Sequence, residues 1–193
     1  IGRPPRYTLF PSTTLFRSLS KEYIPNSEVY YDGKPTIYQY GATVQKGAYF
    51  NARSITKYGF DCTGCGIGLD GAAGTSAGIR LNGTSVRQSN GTWLDGITYD
   101  GYYVVAADKA FPNCTILEIS NHTFSGMGLT SGVPFLALVV DRGSAITTNK
   151  LDLFVGSEKN INVVTNKRTA DSKVTVVGFL KWTKNGLGER ICK

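Results

Sequence analysis

Three aspartates stand where aspartate is least at home. The apolar run FLALVV, Phe135 to Val140, stops at Asp141; Asp152 lies between Leu151 and Leu153; Asp108 follows the run VVAA, Val104 to Ala107. Short runs of β-branched, aliphatic and aromatic residues bounded by turn residues read as strands. Aspartate is depleted in strands and is seldom buried without a partner. Ordinary turn chemistry explains any one of them: Asp141 opening a turn with Gly143 and Ser144, or Asp152 capping a loop or pairing with Lys150. All three in similar settings suggest chemistry instead. Carboxylates grouped in a low-dielectric hollow drive their pKa values apart, so that one keeps its proton near neutral pH and can serve as an acid. Cleavage of a glycosidic bond needs such an acid.

The elements that would position these groups are strands. The chain has 193 residues, 41% hydrophobic, enough for one core and one domain. Glycine is abundant, charged residues make up only 18%, and no stretch carries a sustained helical period, which together point to an all-β domain with many turns. Residues 1–18, IGRPPRYTLFPSTTLFRS, resemble the conceptual translation of a sequencing adapter and are set aside from fold reasoning; the alternative is a Pro-containing arm without periodicity. Without its three arginines the formal net charge falls from +7 to +4. Such a mildly basic surface suits an anionic cell wall and makes no case for nucleic acid. No segment has the apolar length of a membrane span, and no leader is legible.

Residues 19–50 form a polar, tyrosine-rich lead-in, whose rings could form a sugar platform but at strand surfaces more often simply pack. The strand-rich body of the domain is expected over 51–180, with a tail at 181–193. Strands are expected at Tyr102 to Ala107, Thr115 to Ile119, Phe135 to Val140 and Lys173 to Phe179, and a short helical turn within Ser157 to Val164. Asn82-Gly83, Asn90-Gly91 and Asp95-Gly96 signal tight turns of an inserted hairpin with Trp93 near its tip, where the ring could stack on a sugar or cap the core. Glycines between Gly59 and Gly83 suggest a loop wall beside the cleft. No helix-forming segment follows them, so a nucleotide cradle is not supported. His122 falls in the stretch between two strands, Ser120 to Pro134, as a loop residue or a remote candidate for substrate contact.

Cys62 and Cys65 have CxxC spacing, with Cys114 and Cys192 far downstream. Without a second CxxC, and with His122 the only histidine, disulfides or buried thiols are favoured over zinc, and no metal or cofactor is expected. Three pairings are possible and spacing does not choose among them. Asn-x-Ser/Thr triplets begin at Asn82, Asn90, Asn113 and Asn121; in a bacterial protein they would carry no glycan.

Three segments, ITKYG (Ile55 to Gly59), AADKAFPNCTILEI (Ala106 to Ile119) and VVDRGSAITTNKLDLF (Val139 to Phe154), together resemble the 3D domain, named for its three aspartates. That domain is a double-psi β-barrel found in membrane-bound lytic transglycosylase A and in Gram-positive stationary-phase and resuscitation-promoting cell-wall enzymes. The resemblance spans roughly residues 55–177. Its strongest part is D-x-G-x-A-I-x-x-x-x-[LI]-D-[LI]-F, in which Asp141 and Asp152 stand 11 positions apart, in the family's register. The chain departs from the family pattern at Arg142, where threonine is usual, at Ser144, where a second glycine is usual, and at Thr147-Thr148, where Lys-Gly is usual.

The resemblance implies an all-β double-psi β-barrel over 51–180, with Arg53 to Tyr58 as its first strand, an inserted hairpin and loops, and an insertion at Ser120 to Pro134. It also implies a lytic transglycosylase acting on peptidoglycan glycan strands, outside the cell or in the wall, and a monomer is expected. Asp152 would be the single catalytic acid and base, Asp141 would stabilise the cationic state or keep Asp152 protonated, and Asp108 would support the site. Thr56, Tyr58, Ser76, Gly143, Ser144 and Ala145 would contact substrate. The alternatives are a non-catalytic wall-glycan-binding or phage or secreted interaction module, favoured by the departures, and an aspartic peptidase, because Asp141-Arg142-Gly143-Ser144 resembles D-[ST]-G-[ST]. Arg142 and the lack of a second copy oppose the latter.

Overall fold

The computed structural model describes residues 28–31, 34–37, 44–147, 149–166 and 169–193. The adapter-like segment, most of the lead-in, Thr148 of the departing Thr-Thr pair, and Lys167 and Arg168 lie outside the described residues. In chain order the strands are β1 (Glu28–Tyr31), β2 (Lys34–Ile37), β3 (Tyr49–Ala52), β4 (Ser54–Tyr58), β5 (Ala73–Gly74), β6 (Arg80–Leu81), β7 (Ser85–Arg87), β8 (Trp93–Asp95), β9 (Thr98–Tyr99), β10 (Tyr102–Ala107), β11 (Thr115–Ser120) and β12 (Phe135–Asp141). After β13 (Lys150–Phe154) comes a 3₁₀ segment, η1 (Glu158–Val163), capped by the Ser157 hydroxyl, and then β14 (Ser172–Phe179), β15 (Trp182–Lys184) and β16 (Arg190–Cys192).

These strands make an all-β, nearly closed barrel, as the sequence leads one to expect. The main sheet runs β3-β14-β11-β12-β10-β13-β4, with the β1–β2 hairpin added beyond β3. Closure comes from one bent stretch of chain: β3 pairs with β14 and β4 pairs with β13, with only Arg53 between them. The backbone exchange between Ile55 and Thr169 (2.7 and 3.1 Å) then stitches the β4 edge to the segment entering β14. Pairing around the barrel is mixed, with β4/β13 and β10/β12 parallel and the neighbours antiparallel.

Period-two alternation builds the core. In β11, Thr115, Leu117 and Ile119 are buried while the intervening residues are half-exposed. In β13, Leu151 and Leu153 are fully buried, so Lys150 and Asp152 fall on the opposite, half-exposed face. The aspartate between two leucines is thus not a core residue. Phe50, Ile55, Phe111, Leu138 and Phe154 are among the large side chains that fill the interior.

The insertion is more than the expected hairpin. The turn signals produce a four-stranded antiparallel sheet, β5-β6-β7-β8, because the glycine-containing stretch before Asn82 itself supplies β5 and β6. Asn82 Oδ1 accepts from the Thr84 and Ser85 amides, and Asn90 Oδ1 from that of Thr92, which is how the Asn-Gly signals set these turns. Trp93 stands in β8 opposite Arg87, not at a tip. The tail forms the β15–β16 hairpin, and Cys114–Cys192 bonds it to the start of β11; the other pair is Cys62–Cys65. His122 is buried, its Nε2 2.7 Å from the Val133 carbonyl and its Nδ1 accepting from the Phe124 amide at 3.2 Å, a structural role with no capacity left for substrate. Among the described residues no helix is long and apolar enough to cross a membrane.

Candidate active site

Four neighbouring strands place one residue each in a lateral row. Asp141 on β12 is level with Ala106 on β10, Ala106 with Asp152 on β13, and Asp152 with Thr56 on β4. Residues level across adjacent strands point to the same face, and strands lie about 4.8 Å apart, so the two aspartate backbones are roughly 10 Å apart with only a methyl group between them. The small side chain of Ala106 leaves the space between the carboxylates open.

A bulge makes this row possible. Val105 is level with Val139, and the register then slips so that Ala106 meets Asp141 instead of Val140. Bulges re-aim side chains in this way, and here the slip turns Asp141 onto the face of Asp152.

The two carboxylates have different surroundings. Asp141 accepts three hydrogen bonds: from the Arg142 amide (2.8 Å) and the Ser76 amide (3.1 Å) on Oδ1, and from the Tyr58 hydroxyl (3.1 Å) on Oδ2. Burial pushes its pKa up, and these donors and the Arg142 charge pull it back. Asp152 accepts one, from the Thr56 hydroxyl at 2.6 Å. Burial pushes its pKa up to about 6; the Thr56 bond opposes the shift, and the negative charges of Glu158 and Asp141 add to it. Both carboxyls are raised, but Asp141, with three donors and Arg142 beside it against the single donor of Asp152, is the better stabilised anion and Asp152 the better proton carrier, the asymmetry expected when two carboxyls divide acid and electrostatic roles.

Tyr58 crosses the row. It lies two residues beyond Thr56 on the same face of β4, packs its ring 5.6 Å from that of Phe154, and reaches Asp141 with its hydroxyl. Burial, with the Asp141 and Asp152 charges behind it, drives its pKa well above the usual tyrosine value, so it remains a proton donor to Asp141.

The remaining expected site residues fall around this row. Asp108 lies two positions beyond Ala106, buried, with Oδ1 accepting the Ala110 amide at 2.9 Å. It lines an open hollow of about 450 Å³ together with Lys109, Arg142, Gly143, Ser144 and Ile146. Gly143 is needed there, because a Cβ would sit 2.9 Å from Ile146 Cγ1. Ala145 is exposed, its carbonyl 3.4 Å from Lys150 Nζ. Ser76 holds Asp141 through its amide, and its hydroxyl bonds Asn113 and the Val140 carbonyl. Arg142 spans to the Phe111 and Asp141 carbonyls, bracing the loop.

One charged group was not anticipated. Glu158 opens η1, and its Oε1 accepts from the Gly59 amide at 2.8 Å, while Asp61 receives the Glu158 amide and the Ser157 hydroxyl. This places a carboxylate near enough to Asp152 to raise its pKa. Gly59 is obligatory at this contact, where a Cβ would meet the Glu158 nitrogen at 2.1 Å. The only sequence signal was Ser157 ahead of an acidic residue, a plain helix-start signature.

No family model, curated protein or solved structure gives a match to this chain.

Proposed function

We propose that the protein is a peptidoglycan lytic transglycosylase of the 3D-domain type, with Asp152 as its single acid and base. The observation that carries this reading is the pair of unequal carboxylates on one face of the barrel, one held as an anion by three donors and the other keeping its proton up to about pH 6. The resemblance of residues 139–154 to the family motif and the parallel pairings of the barrel accord with it.

In the proposed reaction Asp152 gives its proton to the glycosidic oxygen between N-acetylmuramic acid and N-acetylglucosamine, and the bond from C1 to that oxygen breaks. Positive charge developing at C1 and the ring oxygen is stabilised by the Asp141 anion. The Asp152 carboxylate then takes the proton of the muramic C6 hydroxyl as O6 bonds to C1, closing the 1,6-anhydro ring and restoring the acid. No water is consumed, so no second carboxylate is needed to activate one. Thr56 suits both states of Asp152: its hydroxyl donates to the carboxylate at 2.6 Å and, when Asp152 is protonated, can accept from it and turn its own proton toward the Leu151 carbonyl at 3.5 Å.

Incubating purified sacculi with the parent chain and with Asp152→Asn tests the reading. The parent should release anhydro-muropeptides and the variant should not; equal release from both removes Asp152 from the role. A binding module is the second reading, favoured by Arg142, whose braced side chain stands beside Asp141 where the family has a small hydroxyl residue. It requires sacculus binding with no release by either chain.

A further inference from the structure

The inserted sheet and the C-terminal hairpin meet along a second groove, of about 380 Å³, lined by Arg80, Arg87, Trp93 and Arg190 with the carboxylates Asp70 and Glu189. No member of the Asp141–Ala106–Asp152–Thr56 row lines it. The segment 76–78 connects the two places: Ser76 holds Asp141, while Gly78 lies under Arg190, where a Cβ would come within 2.8 Å of Arg190 Cβ.

Two of the three arginines have structural work. Arg80 pairs with Asp70, and Arg87 uses Nε and Nη2 to hold Glu189 Oε1 at 3.1 and 2.9 Å, joining the insert to the hairpin. Arg190 differs. Its guanidinium lies 4.9 Å above the Trp182 ring, which is itself fixed by an Nε1 bond to the Ala77 carbonyl at 2.8 Å. Among the described residues it forms no salt bridge. Its cross-strand neighbour is Lys184, and like charges level on paired strands are destabilising unless an anion lies between them. An arginine stacked on an aromatic ring keeps its N–H edge free for two parallel bonds to a carboxylate. Beside it Trp93 is 40% exposed, with Arg87 5.8 Å from its ring centre. Trp93 thus lines this groove, and the chain's other tryptophan, Trp182, backs its Arg190.

We infer that this groove is a binding site for a carboxylate-bearing saccharide, with Arg190 as the carboxylate fork and Trp93 as the surface on which a sugar ring packs. The choice of a muramic-acid sugar, one whose lactyl carboxyl bears no stem peptide, as the carrier of that carboxylate rests on the reading of the Asp141–Asp152 cleft; the fork itself does not. A glycan strand held here would extend from the groove along 76–78 toward the cleft.

Tryptophan fluorescence reports on the groove, since Trp93 lines it and Trp182, the other tryptophan, is stacked against its Arg190. The Asp152→Asn chain, which cannot turn over substrate in the proposed mechanism, is titrated with a disaccharide of N-acetylglucosamine and N-acetylmuramic acid and with the neutral dimer of N-acetylglucosamine. The acidic sugar should give a saturable change at least tenfold tighter than the neutral one, and Arg190→Gln should abolish that preference, with Arg190→Lys retaining part of it. Arg190 is exposed, and an unchanged melting temperature confirms that the variants are folded. Equal binding of the two sugars, or an Arg190→Gln chain that discriminates like its parent, overturns the proposal. Discrimination by the groove alongside a parent chain that releases no anhydro-muropeptides supports the groove while defeating the reading of the cleft.

Discussion

Replacing Asp152 by asparagine should make the protein more stable, by a margin that opens above about pH 4 and is complete above about pH 6. The carboxyl titrates near pH 6 in the folded chain against about 3.9 when unfolded. Between those values the folded chain holds a proton that the unfolded chain has released, so stability falls as pH rises through this window. Two pH units correspond to a ceiling of about 3 kcal/mol, and water at the half-buried group reduces the expected cost to roughly 2 kcal/mol. Asparagine is neutral throughout and mimics the protonated carboxyl, with its carbonyl still available to Thr56. Urea unfolding of the two chains between pH 4 and pH 8 should therefore give equal stabilities at pH 4 and a variant ahead by about 2 kcal/mol at pH 8. A difference that stays flat across this range, or that favours the parent at pH 8, would refute the claim that burial and the charges of Glu158 and Asp141 hold a proton on Asp152.

The same titration should govern turnover, with kcat/KM on sacculi falling above about pH 6 as Asp152 loses its proton. Tyr58→Phe removes a donor that lowers the Asp141 pKa, so the acid limb of the profile should move to higher pH; an unmoved limb would exclude Asp141 as its source. Replacing Cys114 and Cys192 together by alanine opens a loop with a sequence separation of 78, for which chain entropy predicts a loss on the order of 4 kcal/mol in urea unfolding under non-reducing conditions. Loss below about 1 kcal/mol would mean that the hairpin is held by its packing on Tyr99, whose hydroxyl bonds both the amide and the carbonyl of Cys192.

Most of the barrel was legible because its strands obey simple rules. Tyr102–Ala107 and the strands around Thr115, Phe135 and Lys173 are apolar or alternating runs closed by turn residues, and they fold as such. What local pattern could not supply was partnership. The bend at Arg53, which lets one stretch serve two neighbours, depends on pairing with β13 and β14, both more than ninety positions away. The choice among three disulfide pairings likewise needed the hairpin of residues 182–192 to be docked near Cys114. Asp141 and Asp152 were found as residues out of place, whereas Glu158 looked like an ordinary helix-start acid until Gly59 gave it a seat.

The bulge in β10/β12 shows why the site itself lay beyond an alternation argument. Counting outward from the Val105–Val139 pair in strict register would set Ala106 against Val140 and Asp141 against Ala107. Ala107 is level with the core residue Leu151, so Asp141 would then share the face of the leucines, opposite to Asp152. One slipped residue reverses that outcome, because a shift of one position exchanges the two faces of a strand. An ionised carboxylate turned inward would face Leu151 and Leu153 without the Ser76 and Tyr58 donors, at a cost of several kcal/mol. The carboxylate and the bulge therefore enforce each other: Asp141 is tolerated at the end of FLALVV because the slip brings it to its donors, and the slip is held in place by the bonds that Asp141 makes there.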